Sequence, residues 1–121
     1  MQDTKKILVV DDEEVMREFL LEVFSTQEPL GAHNGEEALE LIRENPVSLV
    51  ITDLKMPGMD GLTLLKKVKE MDQSIKVIVV TGYASLQTAS ECIQAGAADF
   101  LKKPFSIAQI RKAVQAAIGA Q

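Results

Sequence analysis

Ser48-Leu49-Val50-Ile51-Thr52-Asp53 is an apolar, largely β-branched run that stops on a carboxylate, and Leu54-Lys55-Met56-Pro57-Gly58-Met59-Asp60-Gly61 follows it. A short run of this kind, closed by Pro and Gly, reads as a strand buried on both faces. Such strands belong to parallel sheets covered by helices, whose ligands sit at the carboxyl ends of the strands. Asp53 stands at that end, so its chemistry has to be explained.

Two further runs share the design. Ile7-Leu8-Val9-Val10 is followed by Asp11-Asp12, and Val77-Ile78-Val79-Val80 by Thr81-Gly82. Between the runs the apolar residues recur with helical period, which predicts alternating strands and helices, a parallel sheet and helices on both faces. The first helix is expected from Glu13 or Glu14, capped by Asp12, with Met16, Leu20, Val23 and Phe24 inward, running out near Ser25-Thr26. Glu28-Pro29-Leu30-Gly31-Ala32-His33 suits only a short or edge strand. Asn34-Gly35 turns into a helix with Ala38, Leu41 and Ile42 inward, ending at Asn45-Pro46. A third helix from Gly61 to Met71-Asp72 buries Leu62, Leu65 and Val68. A fourth, capped by Ser85 and stopped by Gly96, has only Leu86, Ala89 and Ile93 as core candidates. So little burial makes it the helix a neighbour can move. Asp99-Phe100-Leu101 is a short last strand, and Ser106 caps a final helix with Ile107, Ile110, Val114 and Ile118 inward.

Five strands and five helices fit 121 residues as one α/β domain, residues 1–121, doubly wound, with a core large enough to need no disulfide. The net charge of -5 gives no footprint for direct nucleic-acid binding and no polybasic patch for a membrane. A single cysteine, Cys92, mid-helix, fits a reducing compartment and reads as a small, partly buried hydrophobe. No segment approaches the ~20 apolar residues of a membrane span. Met1-Gln2-Asp3-Thr4-Lys5-Lys6 leads into the first strand with no signal-peptide core. A cytoplasmic protein is the expectation. His33, the only histidine, is expected at the end of an edge strand, as a surface or turn residue.

If the first, third and fourth strands lie side by side, Asp11, Asp12 and Asp53 converge at one sheet edge beside Thr81. Three carboxylates a few ångströms apart repel one another, so something positive belongs among them. A hard divalent cation with oxygen ligands, Mg²⁺ with retained waters, meets that need, and Lys103 supplies a second charge if its loop folds over the same edge. A carboxylate beside Mg²⁺, an ammonium and a hydroxyl is placed to attack phosphorus, since both cations neutralise the phosphoryl oxygens. Taken singly, each residue has a plainer use: Asp11-Asp12 as a helix start, Asp53 as a loop residue, Thr81 as turn filler, Lys103 as a solvated lysine, Phe100 as core.

Together, the acidic pair after the first strand, Asp53 with Met56-Pro57-Gly58-Met59-Asp60-Gly61, Thr81-Gly82 and Lys103-Pro104-Phe105 resemble a response-regulator receiver domain of two-component signalling, from Lys5 to about Ile118. The resemblance implies a flavodoxin-like sheet of order 2-1-3-4-5. It makes Asp53 the phospho-acceptor, Asp12 a direct Mg²⁺ ligand, Asp11 a ligand mostly through water, and Lys55 a ligand through its backbone carbonyl. It gives Thr81 and Lys103 one phosphoryl oxygen each, and implies a cis Lys103-Pro104 bond. Phe100 matches the aromatic that moves inward with Thr81; lacking a hydroxyl, it leaves a switch by packing alone. Lys55 and Tyr83 stand where the family varies the lifetime of the acyl phosphate. Thr81 to Ala89 looks similar to receivers that precede ATP-driven, NtrC-type transcription activators.

The implied function is a switch without turnover of an external substrate. A sensor histidine kinase phosphorylates Asp53, and the fourth helix, last strand and last helix form the face toward an output domain, a partner protein or a second copy in a phosphorylation-dependent homodimer. The competing reading is a Mg²⁺-dependent phosphohydrolase with an aspartyl-phosphate intermediate. That chemistry needs a second acid two residues after the nucleophile, where Lys55 stands. A nucleotide or flavin carrier would need a Ser/Thr/Gly-rich phosphate loop after the first strand, where Asp11-Asp12-Glu13-Glu14 stand instead.

Overall fold

A computed structural model describes residues 5–119, so the reading of Met1 to Thr4 lies outside the described residues. The elements are β1 (Lys6–Val10), α1 (Glu14–Val23), a 3-10 turn (Ser25–Gln27), β2 (Leu30–Ala32), α2 (Gly35–Glu44), β3 (Val47–Asp53), α3 (Gly61–Met71), β4 (Lys76–Thr81), α4 (Leu86–Gln94), β5 (Asp99–Lys102) and α5 (Ile107–Ile118). The sheet is parallel throughout, in the order β2-β1-β3-β4-β5. This is the flavodoxin-like order implied by the resemblance.

The apolar runs are buried because both faces of the sheet are covered. Alternate residues of one strand feed two separate cores: Leu8, Val10, Val50, Val77 and Val79 pack with α2 and α3 residues, and Ile7, Val9, Leu49, Ile51, Ile78 and Val80 with α1 and α5 residues. Leu8, Leu49, Ile51 and Ile78 are fully buried. At roughly 1.5–3 kcal/mol per buried aliphatic side chain, these central strands are the main source of stability. Short β2 is an edge strand, as Pro29 and Gly31 require.

Several helix faces differ from expectation. The N-cap of α1 is Glu13, with no side-chain cap; the Glu13 amide instead donates to Asp11 Oδ1 at 2.9 Å, so Asp12 is left free of a capping role. On α2 and α3, Leu39 and Leu64 are buried, whereas Leu41 and Leu62 only flank the core. Of the three core residues expected on α4, Leu86 is exposed at 89% and Ile93 at 50% and Ala89 is half-buried, while Cys92 is the buried residue, deeper than expected. Cys92, with Ala95 packed beside it, joins α4 to the core where larger residues were expected to do so. Ile107 and Ile118, at the two ends of α5, are also exposed, while Ile110, Ala113 and Val114 face the core. Ser85 and Ser106 cap α4 and α5, each in a reciprocal capping box with Thr88 or Gln109.

Candidate functional site

The three central strands deliver their last residues to one level. Val10 pairs with Thr52, and Asp53 with Val80, so Asp11, Asp53 and Thr81 emerge within one residue of each other across β1, β3 and β4. Each is tied down by backbone. The Asp11 amide donates to Ala32 O at 3.1 Å, the Leu54 amide to Val80 O at 3.2 Å, and the Lys103 amide to Thr81 O at 2.8 Å. The last of these brings the loop after β5 back over the edge, with a cis bond between Lys103 and Pro104.

Lys103 is the hub of the resulting cluster. Its Nζ donates to Asp11 Oδ2 at 3.2 Å and to Asp53 Oδ2 at 3.3 Å. Asp11 is fully buried and Asp53 is 7% exposed, while Asp12 points to solvent. Burial pushes the Asp53 carboxyl above the usual carboxylate range; the Lys103 ammonium pulls it back, Asp11 adds to the rise, and the net shift is upward. For Lys103 burial acts downward, but attraction from Asp11 and Asp53 outweighs it and the net shift is upward. Lys103 therefore stays an ammonium at neutral pH.

Carboxylate oxygens of Asp11, Asp12 and Asp53 all lie within 4.8 Å of one another. An all-oxygen donor set with one solvent-facing member fits a hard divalent cation that keeps part of its water shell. Above them opens a cleft of about 540 Å³, lined by Asp12, Glu13, Asp53, Lys55, Gly82, Tyr83 and Lys103. Lys55 and Tyr83 rim it, both exposed. Thr81 is fully buried, and its Oγ1 accepts from the Tyr83 amide at 3.0 Å, which leaves the hydroxyl hydrogen as the donor. Acidic floor, half-buried ammonium, hydroxyl and open cleft are parts that phosphoryl transfer to a carboxylate can use.

Residues 7–115 match the family described as the response regulator receiver domain. The chain belongs to this family. Receiver domains are the phospho-accepting signalling switches of two-component response regulators, and nothing favours the phosphohydrolase alternative. The chain is 41% identical over 113 residues to sporulation initiation phosphotransferase F of Bacillus subtilis, covering 92% of this chain and 91% of that protein. It is 37% identical over 123 residues to the regulatory protein AtoC of Escherichia coli, covering 100% of this chain but only 27% of that protein. Among solved structures, the beryllofluoride-activated NtrC4 receiver domain dimer superposes with a TM-score of 0.85 at 32% identity, over 93% of this chain and 95% of that one. The receiver domain thus matches both a relative of its own length and the corresponding quarter of a longer regulator. No described helix is long and apolar enough to cross a membrane.

Sequence reasoning placed Asp11, Asp12, Asp53, Lys55 and Lys103 at one sheet edge, and the structure has Asp12, Asp53, Lys55 and Lys103 lining one cleft, with Asp11 bonded to Lys103. Phe100 is half-buried on β5, against the core under α3 and α4. His33 is exposed at the end of β2, its Nδ1 2.6 Å from Glu37 Oε1, away from the cleft lining. Two supporting residues escaped the sequence reading. The Thr52 hydroxyl donates to Asp53 O at 2.9 Å. Gly61 sits so close that a Cβ there would lie 2.3 Å from the same Asp53 oxygen. The motif contained Gly61, but only the fold shows the close approach that makes glycine necessary.

Proposed function

We propose that the chain is a single receiver domain whose Asp53 takes one phosphoryl group from the phosphohistidine of a sensor kinase. The carrying observation is the position of Asp53 at the base of the cleft, its Oδ2 held 3.3 Å from Lys103 Nζ with Asp11 and Asp12 beside it. An Asp53 carboxylate oxygen attacks phosphorus; the bond from phosphorus to the imidazole nitrogen breaks, and the imidazole leaves with the electron pair. Asp12 and Asp53 would hold Mg²⁺ directly, Asp11 mostly through water, and Lys55 through its carbonyl. The ion, when bound, supplies positive charge to the phosphoryl oxygens. Once Asp53 is phosphorylated its carboxyl oxygen no longer holds the ammonium as strongly, so Lys103 turns to a phosphoryl oxygen. Thr81, released toward the cleft, gives its hydroxyl hydrogen to another, and Phe100 follows by packing.

Lys55 stands where a phosphohydrolase has its second acid, so the phosphoryl group is held as a signal and lost by self-dephosphorylation, without turnover of an external substrate. With the exposed Leu86, Ile93 and Ile107, the face formed by α4, β5 and α5 is where an output domain, partner or second copy engages. The NtrC4 receiver dimer and the partial coverage of AtoC support a place in an NtrC-type regulator of the cytoplasm. Incubated with Mg²⁺ and acetyl phosphate, the protein is expected to gain the mass of one phosphoryl group and to gain none with a chelator. Sustained release of phosphate from an external monoester would overturn the reading.

Two variants separate the roles. Asp12→Ala is expected to weaken Mg²⁺ binding by at least about 10-fold, the loss seen even for groups that only support a ligand. Tyr83, the only tyrosine in a chain without tryptophan, lines the cleft and reports the titration by its fluorescence. An unchanged midpoint would remove Asp12 from the ion's direct ligands. Lys103→Ala leaves Asp11 and Asp53 facing each other, at a cost well short of the roughly 3–5 kcal/mol of a fully dry pair, because the cleft admits water and ions. It should still be phosphorylated but fail to pass the change to α4 and β5. Equal phosphorylation-dependent amide shifts in α4 for parent and variant would contradict this.

A further inference from the structure

A second close approach lies outside the cleft, where α2, which contributes no group to it, meets the loop after β3. Gly35, buried, is the first residue of α2. A Cβ there would meet Met59 Sδ at 2.6 Å, Cβ at 3.0 Å and Cγ at 3.1 Å. The Met59 side chain thus lies directly on the opening turn of α2. Its thioether could rotate away from an added methyl group, but its Cβ cannot move without the backbone of the loop between β3 and α3.

Both sides of this contact are fixed. On the α2 side, Asn34 Oδ1 accepts from the Glu37 amide at 2.8 Å, Glu37 Oε1 accepts from the His33 amide at 2.8 Å, and Ala38, Leu39 and Ile42 anchor the helix in the core. On the loop side, Gly58 turns with φ +78°, and Asp60 caps α3 by accepting from the Thr63 amide at 2.8 Å. Next to it the Gly61 amide donates to Leu54 O at 2.8 Å, beside the Asp53 carbonyl. Only Asp60 separates Met59 from the residue that touches Asp53's own backbone.

We infer that Met59 seated on Gly35 is a positioning contact for the phospho-acceptor: α2, through this pair, sets the height of the β3 to α3 loop and with it the places of Asp53, Leu54 and the Lys55 carbonyl. The inference rests on the reading of Asp53 as phospho-acceptor. Gly35 and Met59 touch no reacting atom; they act through Asp60 and Gly61.

Gly35→Ala drives the loop outward and is expected to slow phosphoryl uptake from acetyl phosphate by about 10-fold, since small displacements remote from the chemistry have effects of that order. Mg²⁺ affinity, read from Tyr83 fluorescence, falls with it. In the metal-free protein the Gly61 amide, bonded to Leu54 O, exchanges faster with solvent while amides in the middle of α2 do not. Met59→Ala placed on Gly35→Ala removes Sδ and Cγ and leaves only the Cβ contact. The double variant keeps the 3.0 Å Cβ contact, so it is expected to recover part of the lost rate and to stay above the product of the single effects. Met59→Ala alone, which cannot clash, loosens the loop, weakens Mg²⁺ binding by about threefold and speeds Gly61 exchange. It carries the test if Gly35→Ala does not fold.

Gly35→Ala with parental uptake and Mg²⁺ affinity, a double variant no better than the product of the singles, or Met59→Ala with parental Gly61 exchange would each overturn the inference. If the parent itself takes up no phosphoryl group, the functional reading falls, whereas the exchange and Mg²⁺ measurements still decide the positioning claim.

Discussion

Asp53→Asn takes up no phosphoryl group from acetyl phosphate with Mg²⁺ present, and this complete loss is the largest effect expected of any single change. The amide keeps the shape of the carboxyl but has no anionic oxygen with which to attack phosphorus, and no other carboxylate occupies its place between Lys103 and the cleft. Retention of one stable phosphoryl group at this position would end the assignment. The same variant has a second, opposite effect on stability. Burial holds the folded Asp53 carboxyl above its unfolded pKa, so this group adds stability below the unfolded value and forfeits it as pH rises through the folded one. Metal-free Asp53→Asn should therefore melt a few degrees above the parent at neutral pH, with the gap closing in acid. Lys103 still has Asp11 as partner in the variant, so its ammonium is not stranded. Mg²⁺ should raise the parent's melting temperature more than the variant's.

Gly61→Ala is expected to do the greatest structural damage. The added Cβ would lie 2.3 Å from Asp53 O, 2.9 Å from Leu54 Cα and 3.0 Å from Asp53 C, all of them backbone atoms of a strand end. Alanine favours helix over glycine by about 1 kcal/mol at most. Overpacking against backbone costs the upper part of the ~1–3 kcal/mol range or beyond, so the clash wins. A net loss near 3 kcal/mol lowers the melting temperature of a chain this size by roughly 10 °C. The 2.8 Å bond from the Gly61 amide to Leu54 O has to lengthen as well, so phosphoryl uptake should fall together with stability. Melting within a degree or two of the parent would mean that α3 can step back freely and that Gly61 is not needed for the approach.

The central strands and the site were legible in the sequence for one reason. A strand buried on both faces is written as an uninterrupted apolar run, and the polar residue that ends it marks the working edge of the sheet. That rule put Asp11, Asp53 and Thr81 at strand ends; they came together only once the first, third and fourth strands were assumed adjacent, and Lys103 joined them once its loop was assumed to fold back. Helix faces were less legible where burial depends on closeness rather than hydrophobicity. Leu86 and Ile93 are the most apolar residues of α4, yet Cys92 is the buried one. Ile107 and Ile118 are apolar ends of a helix whose middle alone meets the sheet. Asp12 was read as a cap because caps are usually the last polar residue before the helix, whereas Asp11 turned its side chain to the Glu13 amide instead. The contact of Gly35 with Met59, between elements distant in sequence, has no sequence signal beyond the glycine itself.

The thin anchorage of α4 bears on how little free energy would move it. A ligand or modification moves a population only by as much free energy as it distinguishes between two states, and carrying a population from 1:99 to 99:1 takes about 5.5 kcal/mol. An event at a single carboxylate has a few kcal/mol to give. A helix tied to the sheet by several large side chains would spend more than that on leaving its seat, and the domain would stay silent when phosphorylated. With Cys92 as the buried residue of α4 and Leu86 already in solvent, displacing this helix would expose little apolar surface. The residues that a purely stabilising design would bury here are the ones left outside, where a partner rather than the fold decides what they are worth.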